Sequence, residues 1–124
     1  MKTRIYLLIL SAWLMAFSCE NNETPEADCY NEDPLEELDW LKDMKQIFEM
    51  RMSPAGWQII QYTYQDEYVF YIDDCYQCPD ALTQVYDCSG EVICEFGGID
   101  GRNTCPDFYT EATDSTMLLD GVQH

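Results

Sequence analysis

Cysteine is the residue type in this chain with the most chemical reach. It occurs at Cys19, Cys29, Cys75, Cys78, Cys88, Cys94 and Cys105. Cys75-Tyr76-Gln77-Cys78 has the C-x-x-C spacing of a thiol–disulfide exchange catalyst. Such chemistry needs a thiolate, which a helix N-terminus or neighbouring cations would stabilise. Asp73, Asp74 and Asp80 surround the motif instead, and negative charge disfavours the thiolate. The βαβ pattern of thioredoxin-like chains is also missing. A zinc site from Cys75, Cys78, Cys88 and Cys94 would have tolerable spacing at one end only. Structural disulfides are therefore the leading expectation, with exchange catalysis at Cys75 and Cys78 as the alternative.

Other catalytic chemistry has little to stand on. The single histidine is His124, the last residue, so no histidine-based triad is expected in an ordered site. No phosphate-binding glycine loop occurs. Asp73, Asp74, Asp80, Asp87 and Asp100 lack the D-x-D-x-D-G order of a calcium loop, and no metal or other cofactor is expected. The chain reads as a non-enzyme.

The N-terminus explains the odd cysteine count. Lys2 and Arg4 precede an apolar run from Ile5 to Phe17, then Ala16-Phe17-Ser18 leads into Cys19. Basic, apolar, small, Cys is the order of a bacterial lipoprotein signal, so residues 1–18 read as a signal peptide and Cys19 as the lipidated residue. Removing Cys19 leaves Cys29, Cys75, Cys78, Cys88, Cys94 and Cys105, an even set that an oxidising compartment can close into three disulfides. Beyond residue 18 the chain keeps 4 of its 6 basic residues and all 24 acidic ones, a formal charge of −20. Such a surface repels phosphate backbones, which excludes nucleic acid, and favours a cationic protein partner. Contact with the membrane would run through the lipid anchor alone.

Residues 19–33 are polar and acidic and read as a flexible tether, pinned at its far end by Cys29. A single α+β domain is expected over 34–109. Asp33, Pro34 and Glu36 have the types and spacing of a helix start, and Leu38, Leu41, Met44, Phe48 and Met52 continue a helical stripe to Ser53-Pro54. Two strands follow, 57–64 and 68–72, linked by Gln65-Asp66-Glu67. A second hairpin, 85–88 and 91–96, turns at Ser89-Gly90. The fold predicted is one N-terminal helix packed on a small antiparallel β meander stapled by disulfides. A two-residue turn would set Val85 opposite Cys94 and Tyr86 opposite Ile93, with Cys88 and Cys94 on opposite faces. Those two would not pair, and Cys94 would reach Cys105, or Cys75 or Cys78. Residues 110–124 are expected to fray, or to lay Met117, Leu118 and Leu119 on the domain.

The run Y-D-C-S-G-E-V-I-C, G-G-I-D-G, C-P-D-F, together with V-F-Y-I upstream, resembles a family of small uncharacterised lipoproteins of Bacteroidota. The resemblance spans about Leu38 to Phe108 and implies export to the outer membrane, facing the periplasm or the cell surface. It brings no activity with it. A binding module of the cell envelope is the function expected.

Overall fold

The second strand of the chain is apolar on both sides. Tyr68, Phe70 and Ile72 alternate with Val69 and Tyr71, so each face of any sheet it joins must be covered. The computed structural model, which describes residues 29, 32–51 and 55–122, is built around that requirement. Its elements are α1 (Pro34–Glu37), α2 (Asp39–Arg51), β1 (Gln58–Tyr64), β2 (Glu67–Asp73), β3 (Leu82–Tyr86), β4 (Val92–Gly97), β5 (Arg102–Asn103), α3 (Phe108–Glu111) and β6 (Thr113–Asp120). The strands form a six-stranded antiparallel sheet in the order β5-β4-β3-β2-β1-β6. Five strands run as a meander, and β6 returns to the outer side of β1.

One face carries the two helices. Leu35, Leu38, Leu41 and Phe48 pack on Ile59, Phe70 and Ile72, with Trp40 and Tyr86 beside them. The other face holds a separate core of Tyr64, Val69, Val85, Cys94 and Phe96 around Phe108. Tyr62 and Tyr64 thus point away from the helices.

The single helix expected from Asp33 is two. Leu38 is extended (φ −91, ψ 107), and its carbonyl accepts from the amides of Leu41 and Lys42, which starts α2 afresh. In an unbroken helix, residues three apart step back about 60° around the axis. The break resets that drift, and Leu35, Leu38 and Leu41 all reach the core. Pro34 does occupy the first turn, but Asp33 caps with its backbone carbonyl and not its side chain. The Glu36 carboxylate pairs with Lys42 and Lys45 of α2, tying the two helices together. Met52 and the Ser53-Pro54 stop lie outside the described residues.

Both hairpins turn differently from expectation. Tyr64 pairs with Glu67, so the first loop has only Gln65 and Asp66, at φ +52 and +64. These are type I′ positions, whose twist matches the flanking strands. In the second hairpin Asp87 N donates to Glu91 O and Gly90 N to Asp87 O, so the loop is Cys88-Ser89-Gly90. Gly90 sits at φ +86, and a Cβ there would strike the Trp40 ring 2.9 Å away. The extra loop residue is offset by a bulge at Ile93: Tyr86 faces Val92, and Val85 still faces Cys94.

For the tail, fraying is overturned, whereas Leu118 and Leu119 do pack on the helix-side core. Thr113–Asp120 is an edge strand of the sheet, with Leu119 opposite Ile59 and Met117 opposite Ile60. Its pairing shifts register twice and Asp114 has φ +54, so the alternation that betrays a strand is broken in the sequence. The folded unit therefore runs beyond residue 109 to Asp120.

Candidate functional site

The structure pairs six cysteines. Cys29 joins Cys88 with their Cα atoms 5.6 Å apart, fastening the segment before α1 to the second hairpin loop. Trp40 reinforces that joint, donating from Nε1 to the Cys88 carbonyl at 2.9 Å and stacking on Tyr86. Cys94 joins Cys105 (5.5 Å) on the opposite face, which holds α3 and Phe108 against the sheet. Cys75 joins Cys78 (5.3 Å) in the connection from β2 to β3. The signal peptide, Cys19, the tether apart from Cys29 and residues 32–33, and His124 lie outside the described residues.

The C-x-x-C segment has none of the features that activate a thiol. Cys78 N donates to Cys75 O and Ala81 N to Cys78 O, so the motif occupies two successive turns and no helix starts there. The Asp73 carboxylate accepts from Cys75 N at 3.0 Å. Burial holds its pKa above the ordinary aspartate value. Arg51, the cation that approaches this segment, is exposed and meets Asp74 only at 4.0 Å. A thiolate at Cys75 would face carboxylates on both sides of the motif.

A different set of residues forms the most articulated polar surface. The helices leave the β3–β4–β5 end of their face open. A relay of hydrogen bonds crosses it: Tyr86 Oη donates to Gln84 Oε1 (2.8 Å), Gln84 Nε2 to Glu95 Oε1 (3.1 Å), and Arg102 Nη1 to Glu95 Oε2 (2.7 Å). Arg102 also reaches Asp100 at 3.0 Å. The guanidinium holds both carboxylates below their ordinary pKa values, and they in turn raise its own. Burial, then the charges of Asp74 and Glu95, raises the pKa of the Tyr86 hydroxyl.

Beside this relay lies a cleft of about 210 Å³ between α2 and the sheet. Met44, Ile47 and Leu82 make apolar walls, and Asp74, Gln84 and Tyr86 the polar ones. Leu82 also borders a second depression toward Ile99 and Asp100, so apolar and acidic groups continue along the strip. Sequence reasoning missed Gln84, Glu95 and Arg102. The signal was the alternation Leu82, Gln84, Tyr86 against Thr83 and Val85, a polar residue in the middle of an otherwise apolar strand face.

Each of the four basic side chains beyond residue 18 is already engaged. Lys42 and Lys45 lie on Glu36, Arg51 on Asp74, and Arg102 on Glu95 and Asp100. The acidic excess is thus left to face outward. Among the described residues no cluster of His, Cys, Asp or Glu is arranged to hold a metal ion. No described helix is long and apolar enough to cross a membrane.

With this geometry in view, a family match covers residues 45–120: a domain of unknown function, DUF6970. The chain belongs to the DUF6970 family. The match takes in the second half of α2, the whole sheet, the cleft apart from Met44, and the Cys75–Cys78 and Cys94–Cys105 bonds. Cys29, α1 and Trp40 lie ahead of it, so Cys29–Cys88 ties an N-terminal extension onto the DUF6970 domain. Comparison with curated proteins and with solved structures finds no match.

Proposed function

We propose that the protein is a non-enzymatic lipoprotein of the bacterial cell envelope, anchored in the outer membrane through Cys19, whose DUF6970 domain binds a cationic protein. The observation that carries the anchor is that the other six cysteines are used in disulfides. Cys19 alone is left for the lipid, in a sequence with the order of a lipoprotein signal. Three disulfides suit an oxidising compartment, which supports export. The membership in a family without assigned activity is compatible with the small Bacteroidota lipoproteins that the sequence resembles.

The choice of partner rests on charge. A formal −20 beyond residue 18, with every basic side chain there already on a carboxylate, attracts cations at a distance and steers them on approach. The test is direct binding of purified basic proteins, lysozymes included, against neutral proteins of like size, at about 0.15 M ionic strength, where exposed charges are screened beyond about 8 Å. Binding of a basic protein that weakens steeply with added salt is expected. Absence of any such binding overturns the partner reading. For the anchor, Cys19→Ser should move the protein from the membrane to the soluble fraction, and a variant that stays membrane-bound refutes lipidation there. Turnover of a dithiol substrate that Cys75→Ser abolishes would replace binding with thiol–disulfide exchange.

A further inference from the structure

The net charge says that a cation is attracted but not where it docks, and the cleft beside α2 supplies a place. At about 210 Å³ it is smaller than the roughly 300–1,000 Å³ of sites for drug-sized ligands, which leaves room for one long side chain. Its walls are divided as a lysine or arginine side chain is divided: apolar along Met44, Ile47 and Leu82, anionic and hydrogen-bonding at Asp74, Gln84 and Tyr86. Both an apolar stem and a charged head would be matched.

The polar wall has spare capacity of the right sign. The Tyr86 hydroxyl spends its proton on Gln84, so its oxygen keeps lone pairs with which to accept a further hydrogen bond. Glu95, one residue further along the relay, adds negative potential. The one cation at the mouth is Arg51. It approaches Asp74 only to 4.0 Å, with both side chains half exposed or more, an arrangement that contributes little. Asp74 is therefore open to a stronger partner, and Arg51 is a competitor that such a partner must displace.

We infer that this cleft receives one lysine or arginine side chain of the cationic partner, its methylene stem on Ile47 and Leu82 and its charged head between Asp74 and Tyr86. The inference rests on the proposed function and names its contact site. The experiment is an amide chemical-shift titration of the disulfide-intact protein with the capped peptide Gly-Arg-Gly, and with Gly-norleucine-Gly, which keeps a stem and lacks the charge. Saturable shifts centred on Met44, Ile47, Leu82 and Gln84 are expected for the arginine peptide and weaker ones for norleucine. Asp74→Asn should weaken the arginine peptide about threefold, the size expected of one exposed ion pair, while Arg51→Gln strengthens it. Asp66→Asn, in the turn at the far end of the sheet, removes the same charge and should leave affinity unchanged.

Shifts centred away from the cleft, or equal losses from Asp66→Asn and Asp74→Asn, overturn the inference, because binding would then follow overall charge alone. The two readings fail separately. A basic protein that binds Asp74→Asn and wild type alike removes the cleft and leaves the cationic partner standing. Peptide binding in the cleft with no basic protein bound removes the partner and leaves the site.

Discussion

The two faces of the sheet are closed by opposite means. On the helix side, α1 and α2 spread Leu35, Leu38, Leu41 and Phe48 over three strands, so burial is shared among many aliphatic contacts. On the other side a single residue dominates. Phe108 is 1% exposed and meets Tyr62, Tyr64, Tyr71, Phe96 and Tyr109 with ring centroids 5.1–6.2 Å away. A distributed lid tolerates the loss of one contact, and a plug does not. Each lid also has its own disulfide, and both bonds spring from the β3–β4 hairpin. Its three-residue loop and the Ile93 bulge send Cys88 to one face and Cys94 to the other. One hairpin thereby latches both lids.

The sharpest way to break this contrast is Phe108→Ala. It should lower stability by about 4 kcal/mol, as for other buried Phe truncations, measured by urea unfolding. Met44→Ala, on the helix side and only partly buried, should cost less than half of that. Equal losses would show that the second face is not a plug. The two latches come next. Replacing Cys29 and Cys88 with Ala opens a loop with sequence separation 59 and should cost about 4 kcal/mol on the chain-entropy relation; Cys94 and Cys105, separated by 11, about 3 kcal/mol. Hydrogen exchange should then rise in α1 and α2 for the first variant and in α3 and β4 for the second.

Alkaline titration weighs on both faces but more heavily on the Phe108 side, since on the helix side burial raises Tyr86. Burial raises the pKa of Tyr62, Tyr64 and Tyr71, all on the Phe108 side. A pKa raised by folding contributes stability that is full below the unfolded value, about 10 for Tyr, and is lost as pH rises through the folded value. Stability should therefore fall from about pH 10 upward, with Tyr62→Phe reducing the dependence and a flat profile contradicting the burial argument. The smallest effect is a gain. Gln65 and Asp66 hold φ +52 and +64 without being glycine, so Gln65→Asn with Asp66→Gly should add about 1 kcal/mol, read as a higher unfolding midpoint.

Much of this architecture was legible in the chain. Strands β1 to β4 follow from aromatic and β-branched runs between turn residues, and α2 from its apolar stripe. Val85 opposite Cys94 emerges from strand counting, although two irregularities cancel to produce it. The site was far less legible. Gln84, Glu95 and Arg102 look like ordinary surface residues until β3, β4 and β5 lie side by side and the helices stop short of them. The strip exists because of what does not cover it, and no local pattern encodes an absence.

Taken alone, the chain determined what is local or arithmetic: the count and spacing of its cysteines, the acidic excess, and the periods of most strands and of α2. Only the tertiary structure decided the break at Leu38, the three pairings, the recruitment of Thr113–Asp120 to the sheet edge, and the division into two cores. The physical reason is range. Backbone propensity and side-chain period act over a few residues, whereas a bulge, a restarted helix or a plug is stabilised by partners dozens of positions away.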